Sequence, residues 1–352
     1  MILRMACILA LLATQAQAGP RTTVIDPLSP AERRVFDPDK LTTVPTWSRP
    51  FSIEGQDYHY RIVGSRPRRG GTVAVPTVIV PIRLEVPDQS AVFDATPIVA
   101  HILSSPLFAH GNGHRQFADA MLHAEFPKAP RGWHTLLDAA TGPTLDIVMP
   151  AGSVNITQSQ SGKLFGFINN SKVVNDAIRD FAHANPAPDK IYVFITYNSV
   201  ESFAFGYHSW FWGDGTHTSA LVYMYSSWME DIDDVLGFPS PDAATLSHEV
   251  VETVHDPLIT SVTREWGDPF RNNKCFDTLI EVADAIEDAP LHKVYAKLPG
   301  TLGGEPFLFT VQNAALLPWF TRESPSSARG GAYSFPKAGV LDAPAPLDCV
   351  KR

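Results

Sequence analysis

One segment constrains the fold before any other. Residues 72–86 (TVAVPTVIVPIRLEV) are β-branched and strongly apolar, as a buried strand should be. Pro76 and Pro81 interrupt the run, so parts of it are expected at a sheet edge or a bulge. Residues 191–197 (IYVFITY) and 220–225 (ALVYMY) read as further strands of the sheet interior, and 145–149 as a shorter strand. Residues 51–63 alternate loosely, and 65–71 (SRPRRGG) look like a turn. Helical periodicity marks 98–103, 116–126 and 173–184, the last ending before Pro186 and Pro188. Another helix is expected from just after Pro241 to Val254. Residues 203–215 (FAFGYHSWFWGDG) read as an aromatic, Gly-rich loop, and the chain beyond Pro257 as a long irregular region. The expectation is a single α+β domain over residues 51–352, with an extended arm or pro-segment over 19–50.

Composition narrows the function classes. Of 352 residues 44% are hydrophobic, which excludes wholesale disorder. The net charge is -9 and no basic tract occurs, which disfavours nucleic-acid partners. Residues 1–18 carry Arg4, the apolar run ILALLA and the small-residue site Ala16-Gln17-Ala18, the pattern of a secretory signal peptide. That run is too short for a membrane anchor, which needs about 20 apolar residues, and no later stretch is long enough. The expected destination is outside the cell or in the periplasm or cell envelope. Cys7 leaves with the signal, and the remaining Cys275 and Cys349 most simply form one disulfide in an exported protein.

Residues 247–257 (SHEVVETVHDP) carry the chemistry. Asp242 or Ser240 can cap the helix and Pro257 ends it. His248 and Glu252 are four residues apart, so they share a helix face and can hold one ion between them. Glu249 sits beside His248, where it could polarise a metal-bound water. The layout is that of the zincin helix H-E-x-x-H, with Glu252 in place of the second His; a carboxylate remains an acceptable zinc ligand. Residues 279–288 (LIEVADAIED) read as a helix with Glu281 and Asp284 on one face, either of which can supply the third ligand. A rival set of His248, Glu252 and His255 requires a regular helix up to Pro257. His110 and His114 are spaced like ligands but lie in a Gly-containing loop. Asp231, Asp233 and Asp234 lack a calcium loop after them and read as a solvated turn.

SHEVVETVHDP, then EVAD and FTVQNAALLPWF, resembles the pattern of EXORDIUM-like (phosphate-induced) secreted proteins and their bacterial relatives, over about residues 190–320. His248, Glu249, Glu252, Asp256, Glu281 and Asp284 match that pattern position by position, and His255 stands where relatives usually have Thr. Gly206-Tyr207-His208 resembles the family's Gly-Tyr/Trp-His element. The resemblance implies a zincin-like mixed sheet with a site helix. The resulting expectation is a secreted zinc-dependent hydrolase acting on a peptide or protein substrate. His248, Glu252 and Glu281 or Asp284 would hold Zn2+, Glu249 would act as general base, and His208 would stabilise the oxyanion. The alternative is a secreted binding or signalling protein with a structural or degenerate metal site.

Overall fold

A computed structural model describes residues 42–109, 115–202, 204–213, 219–239 and 241–351. The expected signal peptide (residues 1–18), residues 19–41 of the expected arm, Cys7, Ser240 and the His110/His114 pair lie outside the described residues. The chain opens on the hairpin β1 (Thr46–Ile53) and β2 (Gln56–Val63), antiparallel throughout. Glu54 and Gly55 form its turn, both with positive φ as a tight hairpin requires. The expected arm therefore ends before residue 50: Trp47 sits edge-on to Tyr60 and Phe126, which anchors residues 46–50 in β1.

Then follow β3 (Thr72–Val86), β4 (Ala91–Asp94), α1 (Val99–Ser104), α2 (Phe117–Glu125), β5 (His134–Thr141) and β6 (Leu145–Val148). After them come β7 (Val154–Gln158), β8 (Leu164–Ile168), α3 (Ser171–Ala184), β9 (Ile191–Tyr197), β10 (Ser199–Glu201), β11 (Gly206–Trp212) and β12 (Ala220–Trp228). A mixed seven-stranded sheet runs β11-β12-β9-β3-β4, with β5 and β6 also paired to β3. β3 lies inside this sheet, not at its edge, and the prolines mark where its partners change. It pairs with β5 over 72–79 and with β9 over 77–81, so Pro76 meets only β5 and Pro81 only β9. Each proline thus sits where one flank is open and no donor is missed.

The sheet is covered on both faces, and the strand alternation sorts its side chains. Ile191, Val193, Ile195, Val222, Met224, Trp210 and Trp212 pack into one core with the helix that carries the motif. Tyr192, Phe194, Leu221, Tyr223, Tyr207 and Phe211 pack on the opposite face with Val174, Ile178 and Ala182 of α3. Residues 206–212 are therefore a strand, not the expected loop. Burial on both faces removes the polar alternation that would have announced it, and β12 pairs with it along its whole length.

α4 (Asp233–Leu236) and α5 (Ala244–His255) come next. Every described α5 residue from Leu246 to His255 is buried, with Leu246, Val250, Val251 and Val254 in the core. Asp242 does not cap α5; its carboxylate accepts from the Thr310 N–H at 2.7 Å and the Thr310 hydroxyl at 2.9 Å. The chain beyond Pro257 is more ordered than expected. It contains β13 (Gly267–Asp268), β14 (Lys274–Cys275), α6 (Asp284–Glu287), α7 (Leu291–Val294) and a long hairpin of β15 (Tyr295–Leu302) and β16 (Glu305–Gln312). Residues 279–288 do not form one helix. Their backbone pairs across the fold instead, Ile280 N–H to Ser261 and the Val282 carbonyl to Ala315 N–H, leaving only the short α6. Cys275 and Cys349 are joined in a disulfide, with 4.8 Å between their Cα atoms. Among the described residues no helix is long and apolar enough to cross a membrane.

Candidate metal centre

α5, β11 and the 281–284 segment bring two histidines and four carboxylates to one pocket, lined by His208, His248, Glu249, Glu252, Glu281 and Asp284 together with Tyr207. All six of these groups are nearly buried, His248 being the most exposed at 8%. The fold explains each placement. His248 and Glu252 are one helical turn apart and face the same way. His208 has the same strand parity as Trp210 and Trp212, so it leaves the sheet on the α5 side. Gly206 shares that parity, and a Cβ there would stand 2.6 Å from Glu249 Oε1, so the absence of a side chain makes room for the Glu249 carboxylate.

His248 Nε2 lies 3.0 Å from Glu252 Oε2 and 3.2 Å from Asp284 Oδ1. His208 Nδ1 lies 3.5 Å from the same Glu252 oxygen and 3.8 Å from Glu249 Oε2, while its Nε2 is 3.9 Å from Glu281 Oε2. Ligands about 2.1 Å from a tetrahedral zinc stand roughly 3.4 Å apart, so these spacings suit donors sharing a cation. The other oxygen of Glu252 accepts the Ala283 N–H at 3.0 Å and the Asp284 N–H at 3.3 Å, which aims Oε2 at the pocket. Asp284 and Glu249 Oε2 are buried carboxylate oxygens that accept no hydrogen bond, and His208 Nε2 has no hydrogen-bond partner either. Such groups are costly to bury without a counter-charge, and a divalent cation is the counter-charge that fits this donor set.

Sequence reasoning missed Gln312, which fixes the histidine. Its Nε2 donates to the Ala283 carbonyl at 3.0 Å, so its Oε1 faces His248 Nδ1 at 3.2 Å. A carbonyl oxygen only accepts, so Nδ1 must carry a proton, and in the neutral ring the lone pair is then on Nε2, facing Glu252 and Asp284. This is the tautomer a metal-binding imidazole needs.

The electrostatics follow from crowding in a water-poor pocket. Burial alone would lower His248, but Glu252 and Glu249 hold it well above the usual histidine value; His208 is likewise raised despite burial, chiefly by Glu281. Burial would raise Glu252, yet His248 and His208 hold it well below the usual carboxylate range. Burial and the Glu252 charge push Glu281 up to about 8 and Asp284 well above its ordinary value. Burial also raises Glu249.

His255 does not join these groups. Its Nδ1 donates to the Val251 carbonyl at 2.6 Å and its Nε2 meets Glu125 Oε2 on α2 at 3.0 Å, so the rival ligand set is excluded. Asp256 serves the turn after α5, accepting the Thr260 and Ser261 N–H groups. Asp231, Asp233 and Asp234 are exposed. A further group, Asp119, His123 and His134, is already engaged: Asp119 accepts from His134 and the Thr135 N–H, and His123 donates to the Trp133 carbonyl. Compared with protein-family models, curated proteins and solved structures, the chain matches none.

Proposed function

We propose that the protein is an exported, zincin-like metal-dependent hydrolase, and that zinc is the ion and a peptide bond the target. The observation that carries this reading is the convergence of His248, Glu252, Asp284 and His208 donor atoms, with buried carboxylate oxygens left without hydrogen bonds, on one side of α5. Two histidines with carboxylates suit zinc. The ion, when bound, supplies Lewis-acid polarisation of the scissile carbonyl. His248 and Glu252 would hold it, with Asp284 beside them. Glu249 takes a proton from the attacking water and delivers it to the leaving amine, and burial raises its proton affinity in the direction that task needs. The absence of a side chain at Gly206 leaves the room that the Glu249 carboxylate occupies. His208, held against Glu252, is better placed to serve the ion than an oxyanion.

One observation favours a rival reading, a structural ion in a binding or signalling protein: the donors are nearly all out of contact with solvent. Glu249→Gln separates the two. It keeps shape and metal content, and in a hydrolase it lowers turnover on a peptide library by about 10²–10⁴-fold. Wild-type protein that is metal-replete and inactive on every peptide would leave the structural reading standing.

A further inference from the structure

The donors around α5 fall into two sets, not one. The donor atoms of His248, Glu249 and Glu252 lie within 4.8 Å of one another, and so do those of His208, Glu252 and Glu281; only Glu252 belongs to both. The two histidines come from different elements, α5 and β11, and approach Glu252 Oε2 from His248 Nε2 at 3.0 Å and from His208 Nδ1 at 3.5 Å. Glu249 straddles the same gap, with Oε1 4.0 Å from His248 Nε2 and Oε2 3.8 Å from His208 Nδ1. Resting on the proposed metal-dependent function, we propose that the pocket holds two divalent cations, one on His248 and Glu252 flanked by Asp284, the other on His208 and Glu281, with the Glu252 carboxylate shared between them.

Three further observations support the second ion. His208 is 3% exposed, and its Nε2, on the Glu281 side of the ring, lacks a hydrogen-bond partner. A buried imidazole nitrogen without a hydrogen-bond partner is unfavourable, and an ion on it would relieve that cost. The charge count agrees: Glu249, Glu252, Glu281 and Asp284 are four carboxylates, and two dications balance them with both imidazoles neutral. Sharing one carboxylate between two ions also accounts for Glu252 at the position where the zincin helix has its second His. An imidazole nitrogen has one lone pair and cannot bridge, whereas a carboxylate oxygen can.

The test is stoichiometry, which needs no substrate. Full-length protein is stripped with a chelator and titrated with Zn2+ alone, and bound metal is counted by elemental analysis and calorimetry. The expected result is two equivalents per chain in the wild type and one in both His208→Ala and the isosteric Glu281→Gln. Substituting Mn2+ should give an electron paramagnetic resonance spectrum of two coupled ions, which collapses to that of an isolated ion in Glu281→Gln. One equivalent in the wild type, unchanged in His208→Ala, overturns the two-ion proposal and leaves the proposed function intact. A second equivalent that survives both substitutions lies elsewhere and overturns it too. No bound zinc at all refutes both readings.

Discussion

Gln312→Leu is a sharp test of how the pocket is organised, because Gln312 touches the imidazole and not the pocket. The substitution removes an acceptor 3.2 Å from His248 Nδ1 and a donor 3.0 Å from the Ala283 carbonyl, at a site 6% exposed, and keeps the side-chain volume close. Two effects follow. His248 loses the bond that selects its tautomer, so the lone pair on Nε2 is no longer enforced; loss of such an orienting partner typically weakens metal affinity by 10–100-fold, about 1.4–2.7 kcal/mol. His248 Nδ1 is left buried without a partner, which costs about 1–3 kcal/mol, while the Ala283 carbonyl keeps the Ile286 N–H at 3.1 Å. The metal-free protein should therefore melt earlier, and zinc should restore less stability than it does in the wild type. Competition with a chromophoric chelator reads the affinity and calorimetry the melting. A Gln312→Leu protein that binds zinc within twofold of the wild type would show that the tautomer argument is wrong.

Further outcomes follow from other contacts. Gly206→Ala should displace the Glu249 carboxylate, since the new Cβ meets Oε1 at 2.6 Å, and lower hydrolysis while zinc remains bound by elemental analysis. Replacing Cys275 and Cys349 by Ser opens a loop with a sequence separation of 74, and chemical denaturation should register a loss of about 2–4 kcal/mol. Glu125→Gln breaks the buried pair with His255 and should cost about 3–5 kcal/mol in the same assay. Burial lowers His255 but Glu125 outweighs it, so its pKa is raised on folding; the stabilisation is full below the unfolded value of about 6.5 and fades as pH rises through the folded pKa. The wild-type advantage over Glu125→Gln should thus be larger at pH 6 than far above neutrality, and an advantage that grew with pH would contradict the pairing.

Much of the pocket was legible because a helix repeats. The spacing of His248 and Glu252 and the apolar Leu246, Val250, Val251 and Val254 put α5 in the core with its polar groups on one side. The strands of the sheet interior were legible from unbroken β-branched runs, β3 above all. What was hidden depended on contacts distant in sequence. β11 begins at Gly206 and is followed by Gly213, and its buried aromatics show no alternation, so only pairing with β12 reveals a strand. Residues 279–288 have helical spacing, yet their backbone groups are taken by Ser261, Ala315 and the Glu252 carboxylate. β15 contains Pro299 and Gly300, which argue against a strand, and its hairpin with β16 brings Gln312 to His248 across 64 residues of sequence. No local pattern encodes that bond.

The disulfide also sets an order of assembly. Cys275 lies just upstream of Glu281 and Asp284, and around it the Val350 carbonyl accepts the Cys275 N–H while the Val350 N–H reaches the Asn273 carbonyl. The covalent clasp cannot close until residue 349 has been made, after α5, β11 and the segment bearing Glu281 and Asp284. Every donor of the pocket is thus synthesised before the clasp can close. A compartment able to oxidise thiols therefore adds a covalent hold just upstream of the segment bearing Glu281 and Asp284, and a reducing one would leave that segment to its hydrogen bonds with Ser261, Ala315 and Glu252.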